Sequence, residues 1–327
     1  MLYQLLKILS RLALPLWVRR LHISHPEALC RKGPLLLACN HPNSFLDSIL
    51  LDTLFQAPVW SLARGDAFRK PWHARLLRRL YILPVYRTSE GVENLSENYK
   101  TFEACLELFR ENGVITIYSE GRCINEWHLR PLKKGTARLA IKAWEESIPL
   151  TVVPVGINYS SFSRFGKNVF LHIGEPITAR VVNLSDTDGA RNQAFNKKLG
   201  EELTRLVYEI PKTDVAALKA RLYVPVPTWK KFLLAVPAAL GWLLHLPLYL
   251  PVKSFVWKRT RTNDHYDSIM TGLLLLTYPI YLLAITAAVV LWLHSWWWAL
   301  LLMAIPFTAW CYVQVKSQLD KTFNPVV

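Results

Sequence analysis

The chain has 327 residues, enough for one sizeable domain and a further region. Its formal net charge is +15, from 39 Lys and Arg against 24 Asp and Glu, so an anionic membrane surface or a phosphorylated substrate is the favoured partner. Zinc-finger spacing, an RNA-binding signature and a long basic tail are all missing from the sequence, which argues against a nucleic-acid partner.

The first 23 residues have the pattern of an amphipathic helix. Leucines recur on one helical face, while Lys7 and Arg11 lie off it. The uncharged stretches are too short to cross a bilayer, so we expect residues 1–33 to form an interfacial segment whose basic side chains point toward lipid headgroups. A signal peptide is the alternative, but no small-residue cleavage site follows the apolar part.

Apolar strand-like runs alternate with helical runs from residue 34 to about residue 226. The predicted strands are residues 35–39, 59–63, 82–86, 114–118, 151–157 and 169–173, and the predicted helices are residues 45–55, 72–80, 92–111, 136–146 and 191–209. This alternation predicts an α/β domain with a mixed, largely parallel sheet flanked by helices. Functional residues of such sheets gather beyond the carboxyl ends of the strands.

The turn after the first of these strands carries the strongest candidate for chemistry. His41 ends the buried run 35–39, and Asp47 lies about one turn into the next element. A carboxylate at that position can hold an imidazole in one tautomer, so the pair is a candidate general base and its orienting acid. A helix cap beside a surface histidine is the simpler alternative.

Candidate anion-binding residues follow two other strands. Arg87 ends the strand at 82–86, and Glu120, Gly121 and Arg122 follow the strand at 114–118. Further cations, Arg130 and Lys133, precede the start of the next predicted helix. Glycine permits a tight turn there, and a cation at a helix start favours phosphate.

The carboxyl-terminal region, residues 227–327, is predicted to lie in the membrane. Residues 268–315 form an uncharged run long enough for two spanning helices, at about 270–293 and 296–315. Residues 232–250 form a shorter uncharged run with Pro237 and Pro247, and cations flank it on both sides. We therefore expect a re-entrant segment there, with the catalytic domain in the cytoplasm; three ordinary spans are the alternative.

Four separated blocks together resemble the phospholipid/glycerol acyltransferases of the bacterial PlsC type. The family pattern N-H-x-x-x-x-D is similar to Asn40, His41 and Asp47, and F-P-E-G-T-R is similar to YSEGR at 118–122. ILPVYR at 82–87 and VPV at 153–155 resemble the other two blocks. Two departures stand out: five residues instead of four separate His41 from Asp47, and the arginine of the third block comes one position early.

The resemblance implies an integral membrane O-acyltransferase of phospholipid biosynthesis. It would use acyl-CoA or acyl carrier protein as donor and glycerol-3-phosphate or 1-acylglycerol-3-phosphate as acceptor, with no metal or other cofactor. His41 would be the general base, and Arg87, Glu120, Gly121 and Arg122 would hold the phosphate; the early arginine leaves Arg122 and Arg130 as alternatives. Another lysolipid acceptor, a hydrolase using Ser44 or Ser48, and a non-catalytic membrane scaffold are the competing hypotheses.

Overall fold

The computed structural model describes residues 1–86 and 95–320 of the chain. Its strands are β1 (Val18–Ile23), β2 (Leu35–Cys39), β3 (Val59–Arg64), β4 (Ile82–Val85), β5 (Val114–Tyr118), β6 (Thr151–Tyr159) and β7 (Lys167–Ile173). Its helices are α1 (Leu2–Trp17), α2 (Phe45–Leu54), α3 (Pro71–Arg79), α4 (Leu95–Arg110), α5 (Lys134–Glu145), α6 (Asp188–Leu206), α7 (Val215–Leu222), α8 (Thr228–Thr260), α9 (Tyr266–Leu293) and α10 (Leu301–Val315).

The seven strands form one sheet in the order β1-β7-β6-β2-β5-β3-β4. All neighbours pair in parallel except β6 and β7, so β1 and β7 run against the other five strands. The predicted fold class, a mixed and largely parallel sheet flanked by helices, is confirmed. Because of the reversal, the amino ends of β1 and β7 lie at the same edge of the sheet as the carboxyl end of β2.

Strand β2 lies in the middle of the sheet, and both of its faces are covered. Leu35, Leu37 and Cys39 pack in one core with α2, α7 and Trp17. Leu36 and Ala38 point to the opposite core, which α4, α5 and α6 complete. This burial on both sides explains why the strand is a continuous apolar run, and it fixes the point from which the following turn leaves the sheet.

The amino-terminal helix is shorter than predicted, and its basic side chains point inward. It ends at Trp17, and Val18–Ile23 form β1, which pairs with β7 instead of continuing an interfacial helix. Lys7 bonds to Asp52 and to the carbonyl of Ala57, so it faces the domain and not lipid headgroups. The prediction was wrong here because Lys7 and Arg11 find partners around α2, while apolar side chains stay exposed on the other side: Leu2, Leu5, Ile8 and Leu12.

Three segments of the described chain are long and apolar enough to cross a membrane: α8, α9, and residues 296–315, which end in α10. Such segments indicate membrane association. The 232–250 run lies within the continuous helix α8, and residues near both of its ends contact other parts of the protein. Lys230 donates a hydrogen bond to Gln314 near the end of α10, and Tyr249 packs edge-on against Phe165 between β6 and β7. The re-entrant path stays a prediction.

Candidate active site

The turn that follows β2 is fixed by main-chain and side-chain hydrogen bonds. The Asn40 amide donates to the Ile157 carbonyl and accepts from the Ile157 N–H, which ties the turn to β6. Before α2 starts at Phe45, Ser44 adopts a positive φ of 52°. Non-glycine residues rarely do so, and such conformations persist where surrounding contacts enforce them. The turn that starts at His41 is therefore constrained at its beginning by Asn40 and at its end by the conformation of Ser44.

His41 and Asp47 are in direct contact, as the sequence predicted. The His41 Nδ1 atom lies 2.9 Å from Asp47 Oδ2, and the Asp47 side chain is fully buried. Asp47 also accepts hydrogen bonds from the Asn43 N–H at 2.9 Å and the Tyr159 hydroxyl at 2.8 Å. These donors stabilise a carboxylate that holds the proton of the imidazole on Nδ1, so Nε2 is left as the basic nitrogen.

The end of strand β5 and the turn after it supply two more groups around His41. The Tyr118 ring stacks on the imidazole with centroids 3.8 Å apart. The buried Glu120 carboxylate accepts the backbone N–H groups of His41 and Arg130. Burial raises the pKa of Glu120, and these two hydrogen bonds oppose the rise. Each oxygen of Glu120 thus accepts a backbone N–H group, so this residue holds the loops at His41 and Arg130 together.

The remaining predicted anion ligands differ in their exposure and in the residues that they contact. Gly121 has a φ of +66°, and a side chain there would meet Lys133, so these two residues adjoin each other. Arg122 and Lys133 are exposed next to the turn. Arg130 is partly buried and pairs with Glu126 at 3.4 Å. Arg87 lies outside the described residues.

The first turn of α9 contacts the turn at residues 40–44, the candidate catalytic turn, and the sequence did not reveal this contact. Asp267 accepts a hydrogen bond from the Asn43 amide at 2.6 Å and forms a buried ion pair with Lys167 at the start of β7. Ser268 donates to the Asn43 carbonyl at 2.8 Å. His265, just before α9, lies 2.8 Å from the Ser44 hydroxyl. The polar residues ahead of an uncharged run were the available signal, but three of these four contacts join residues more than 200 positions apart in the sequence.

Fold and site define a class: a membrane-associated α/β protein with a carboxylate-oriented histidine at the carboxyl edge of its central strand. Residues 20–158 match the family model described as "Acyltransferase", so this part of the chain is similar to acyltransferases, in agreement with the predicted class of enzyme, an O-acyltransferase.

Two known proteins are similar to part of this chain. The first is glycerol-3-phosphate O-acyltransferase 2 of Saccharomyces cerevisiae, 26% identical over 116 residues. That match covers 35% of this chain and 14% of the yeast protein. The second is the crystal structure of the 1-acyl-sn-glycerophosphate acyltransferase PlsC of Thermotoga maritima, with 16% identity and a TM-score of 0.42, covering 67% of this chain and 81% of that one.

Proposed function

We propose that the protein transfers a fatty acyl group from an acyl thioester to the hydroxyl of glycerol-3-phosphate or its 1-acyl form. The contact between His41 Nδ1 and the buried Asp47 carboxylate is the observation that carries this proposal. It leaves Nε2 as the proton acceptor, and the family match supplies the reaction class. The names of the two similar proteins supply the acceptor class.

The reaction needs a single base and no covalent enzyme intermediate. His41 Nε2 takes the hydroxyl proton as the acceptor oxygen attacks the thioester carbonyl carbon. When the tetrahedral intermediate collapses, the carbon–sulfur bond breaks and the imidazolium returns the proton to the leaving thiolate. Asp47 stabilises the imidazolium in between, while Tyr118 keeps the ring in its plane.

The acceptor phosphate requires cations near His41. Arg122 and Lys133 are exposed beside Gly121, so their charged ends can reach a ligand above the turn. We assign the phosphate to these two residues together with Arg87. Arg130 is a weaker candidate because Glu126 partly neutralises it. Glu120 receives a different role from the predicted one: it positions His41 and Arg130, and its carboxylate would repel phosphate.

The location of the site suits a lipid product. The first turn of α9 contacts the catalytic turn, so the reacting hydroxyl lies close to the end of an apolar helix. A product that gains an acyl chain can enter the bilayer there. A water-soluble donor, acyl-CoA or acyl carrier protein, would approach from the cytoplasm, which is where we place the catalytic domain.

A serine hydrolase is the second candidate, and one contact favours it. The Ser44 hydroxyl lies 2.8 Å from His265 Nδ1, which is a nucleophile–base distance. Ser48 instead faces the Tyr118 hydroxyl at 2.7 Å. Ser44 does not bond to His41 in the described part of the chain, so the hydrolase would not use the predicted base. Ser44→Ala separates the two functions, because it removes the hydrolase nucleophile and leaves the His41–Asp47 pair.

The direct test is an assay of the purified full-length protein with a labelled acyl-CoA or acyl carrier protein. Glycerol-3-phosphate, 1-acylglycerol-3-phosphate and other lysophospholipids serve as parallel acceptors, and His41→Ala is the matched inactive variant. Label appearing in an acylated glycerol phosphate, and only with the wild type, supports the proposal. Release of free fatty acid that His41→Ala retains and Ser44→Ala loses would replace it with the hydrolase.

A further inference from the structure

A second cationic feature lies at the β1 edge of the sheet, away from His41. It is a pocket of about 320 Å³, and it is lined by residues that include Arg19, Lys219, Tyr223, Lys231, Lys316 and Gln318. Arg19 lies on β1, which is three strands away from β2 in the sheet. At about 4.8 Å per strand, this separates the pocket from the catalytic turn by well over a phosphate diameter.

The ends of two apolar helices indicate where the pocket lies relative to a bilayer. Lys231 lies in the first turn of α8, and Lys316 directly follows α10. Beside Lys231, Trp229 and Phe232 are exposed apolar side chains of the same helix end. Tryptophan and lysine at the end of an apolar helix mark the headgroup layer of a bilayer. The pocket therefore opens where lipid phosphates lie.

The four cations around this pocket are not neutralised by the protein. Arg19 is buried, yet its guanidinium binds only main-chain carbonyls among the described residues, those of Val313 and Lys316. Across residues 1–86 and 95–320, no carboxylate forms an ion pair with Arg19, Lys219, Lys231 or Lys316. A buried cation without a counter-charge, such as Arg19, is costly, and a bound anion would supply that counter-charge.

The local electrostatics agree with that geometry. Burial, together with the charges of Arg164, Lys167 and Arg19, lowers the pKa of Lys316 to about 8. Burial also lowers the pKa of Arg19 to about 10. Burial is the larger cause in both groups and neighbouring cations add to it, so a bound anion would stabilise the charged forms of both side chains.

We propose that this pocket is a second, non-catalytic site that binds the phosphate of an anionic phospholipid headgroup. Its volume is at the lower end of ligand sites and suits a headgroup, and basic pockets between membrane helices are established binding places for anionic lipids. A lipid and free inorganic phosphate share the same chemistry at this pocket. The bilayer depth of the pocket and the exposed apolar residues beside it favour the lipid.

The test uses the full-length protein in a neutral detergent, with native mass spectrometry to measure bound lipid. Dioleoylphosphatidylglycerol is the anionic probe, dioleoylphosphatidylcholine the zwitterionic one, and inorganic phosphate the soluble competitor. The variant is Lys219→Gln/Lys231→Gln, because both lysines are exposed and unpaired among the described residues, so the fold does not depend on them. The control is Arg180→Gln/Lys197→Gln, which removes the same charge from exposed positions elsewhere.

The pocket variant lacks two positive charges, so we expect it to bind phosphatidylglycerol about ten-fold or more weakly than the wild type. The control should match the wild type, and Lys219→Arg/Lys231→Arg should restore binding. Equal affinity in the pocket variant and the control would overturn the proposal, as would equal binding of the two lipids. Displacement of phosphatidylglycerol by millimolar inorganic phosphate would assign the pocket to a free anion instead. None of these readouts depends on acyl transfer, so failure here leaves the proposed reaction untouched.

Discussion

The Asn43 amide donates a hydrogen bond of 2.6 Å to Asp267, and this contact joins the catalytic turn to the first turn of helix α9. The Asn43 backbone N–H also donates to Asp47, the carboxylate that orients His41. Lys167 completes the group by pairing with Asp267 in the protein interior. The position of His41, the proposed base, is therefore set partly by helix α9.

Removing Asp267 should damage stability and activity together. Asp267→Ala leaves Lys167 buried without a partner, and breaking a buried pair in this way costs about 3–5 kcal/mol. Lys167→Met/Asp267→Leu should recover most of the thermal stability, because no buried charge remains, but not the rate of acyl transfer, because Asn43 has lost its acceptor. Thermal unfolding in detergent and the acyltransferase assay measure the two quantities. A double variant that recovers full activity would show that the Asn43 contact does not position the base.

His41 and Asp47 should differ in the size of their effects on the rate. We expect His41→Ala to abolish measurable transfer and Asp47→Asn to lower kcat by about 10²–10⁴, because the amide no longer holds the required tautomer. His25→Ala is the matched control, since His25 is exposed and pairs with Glu27 on the surface. Full activity of His41→Ala would support a scaffold or a different base.

Arg122 should affect binding of the acceptor more than the fold. Because Arg122 is exposed, Arg122→Ala should leave the unfolding temperature unchanged while raising the KM for the phosphorylated acceptor. A lost charge-assisted hydrogen bond is worth about 1.5–3 kcal/mol, which corresponds to a change of about 10- to 100-fold. Lys197→Ala, which removes an exposed lysine from α6, is the control. An unchanged KM would leave Arg87, Arg130 or Lys133 to hold the phosphate.

Glu120 should give the stability of the protein a pH dependence of defined sign. Burial raises the pKa of Glu120 above its usual 4.5, so the folded state holds more protons than the unfolded state between 4.5 and the raised value. The contribution of Glu120 to the free energy of unfolding therefore falls as pH rises through this window. Glu120→Gln should abolish that slope, and it should also lose about 1–3 kcal/mol, because an amide oxygen cannot accept both N–H groups.

Denaturant unfolding followed by tryptophan fluorescence across this pH range measures the effect of Glu120. Glu111→Gln is the control, because it removes an exposed carboxylate, and it should keep the wild-type slope. A Glu120→Gln protein whose pH profile overlays that of the wild type would contradict the assignment.

The path of residues 232–250 has its own test. If this segment is re-entrant, Lys258→Cys in a Cys30→Ser background should resist an impermeant thiol reagent applied to intact cells. Ser295→Cys, between α9 and α10, should react, because a single crossing by α9 carries it to the other side. Labelling of Lys258→Cys from outside would show that α8 crosses the membrane.

The central strands could be predicted from sequence because their burial is a local property. Strands covered on both faces are short apolar runs, so the bounds of β2 and β5 match the prediction. Strand β1 was missed because VRRLHI contains two adjacent arginines, which break the apolar pattern. Arg19 is buried by hydrogen bonds to α10 near the other end of the chain. His41 and Asp47 are six residues apart and could be paired in advance. Asp267 could not, because its role depends on a tertiary contact with Asn43.

The buried pair of Lys167 and Asp267 has a practical implication for biochemistry on this protein. A fragment that stops at residue 226 would keep the whole sheet but would strand an ammonium group in its interior and uncover the side of the catalytic turn. Such a fragment should be poorly folded even though its apolar tail is gone. The tail is thus a structural component of the enzyme and not a detachable anchor.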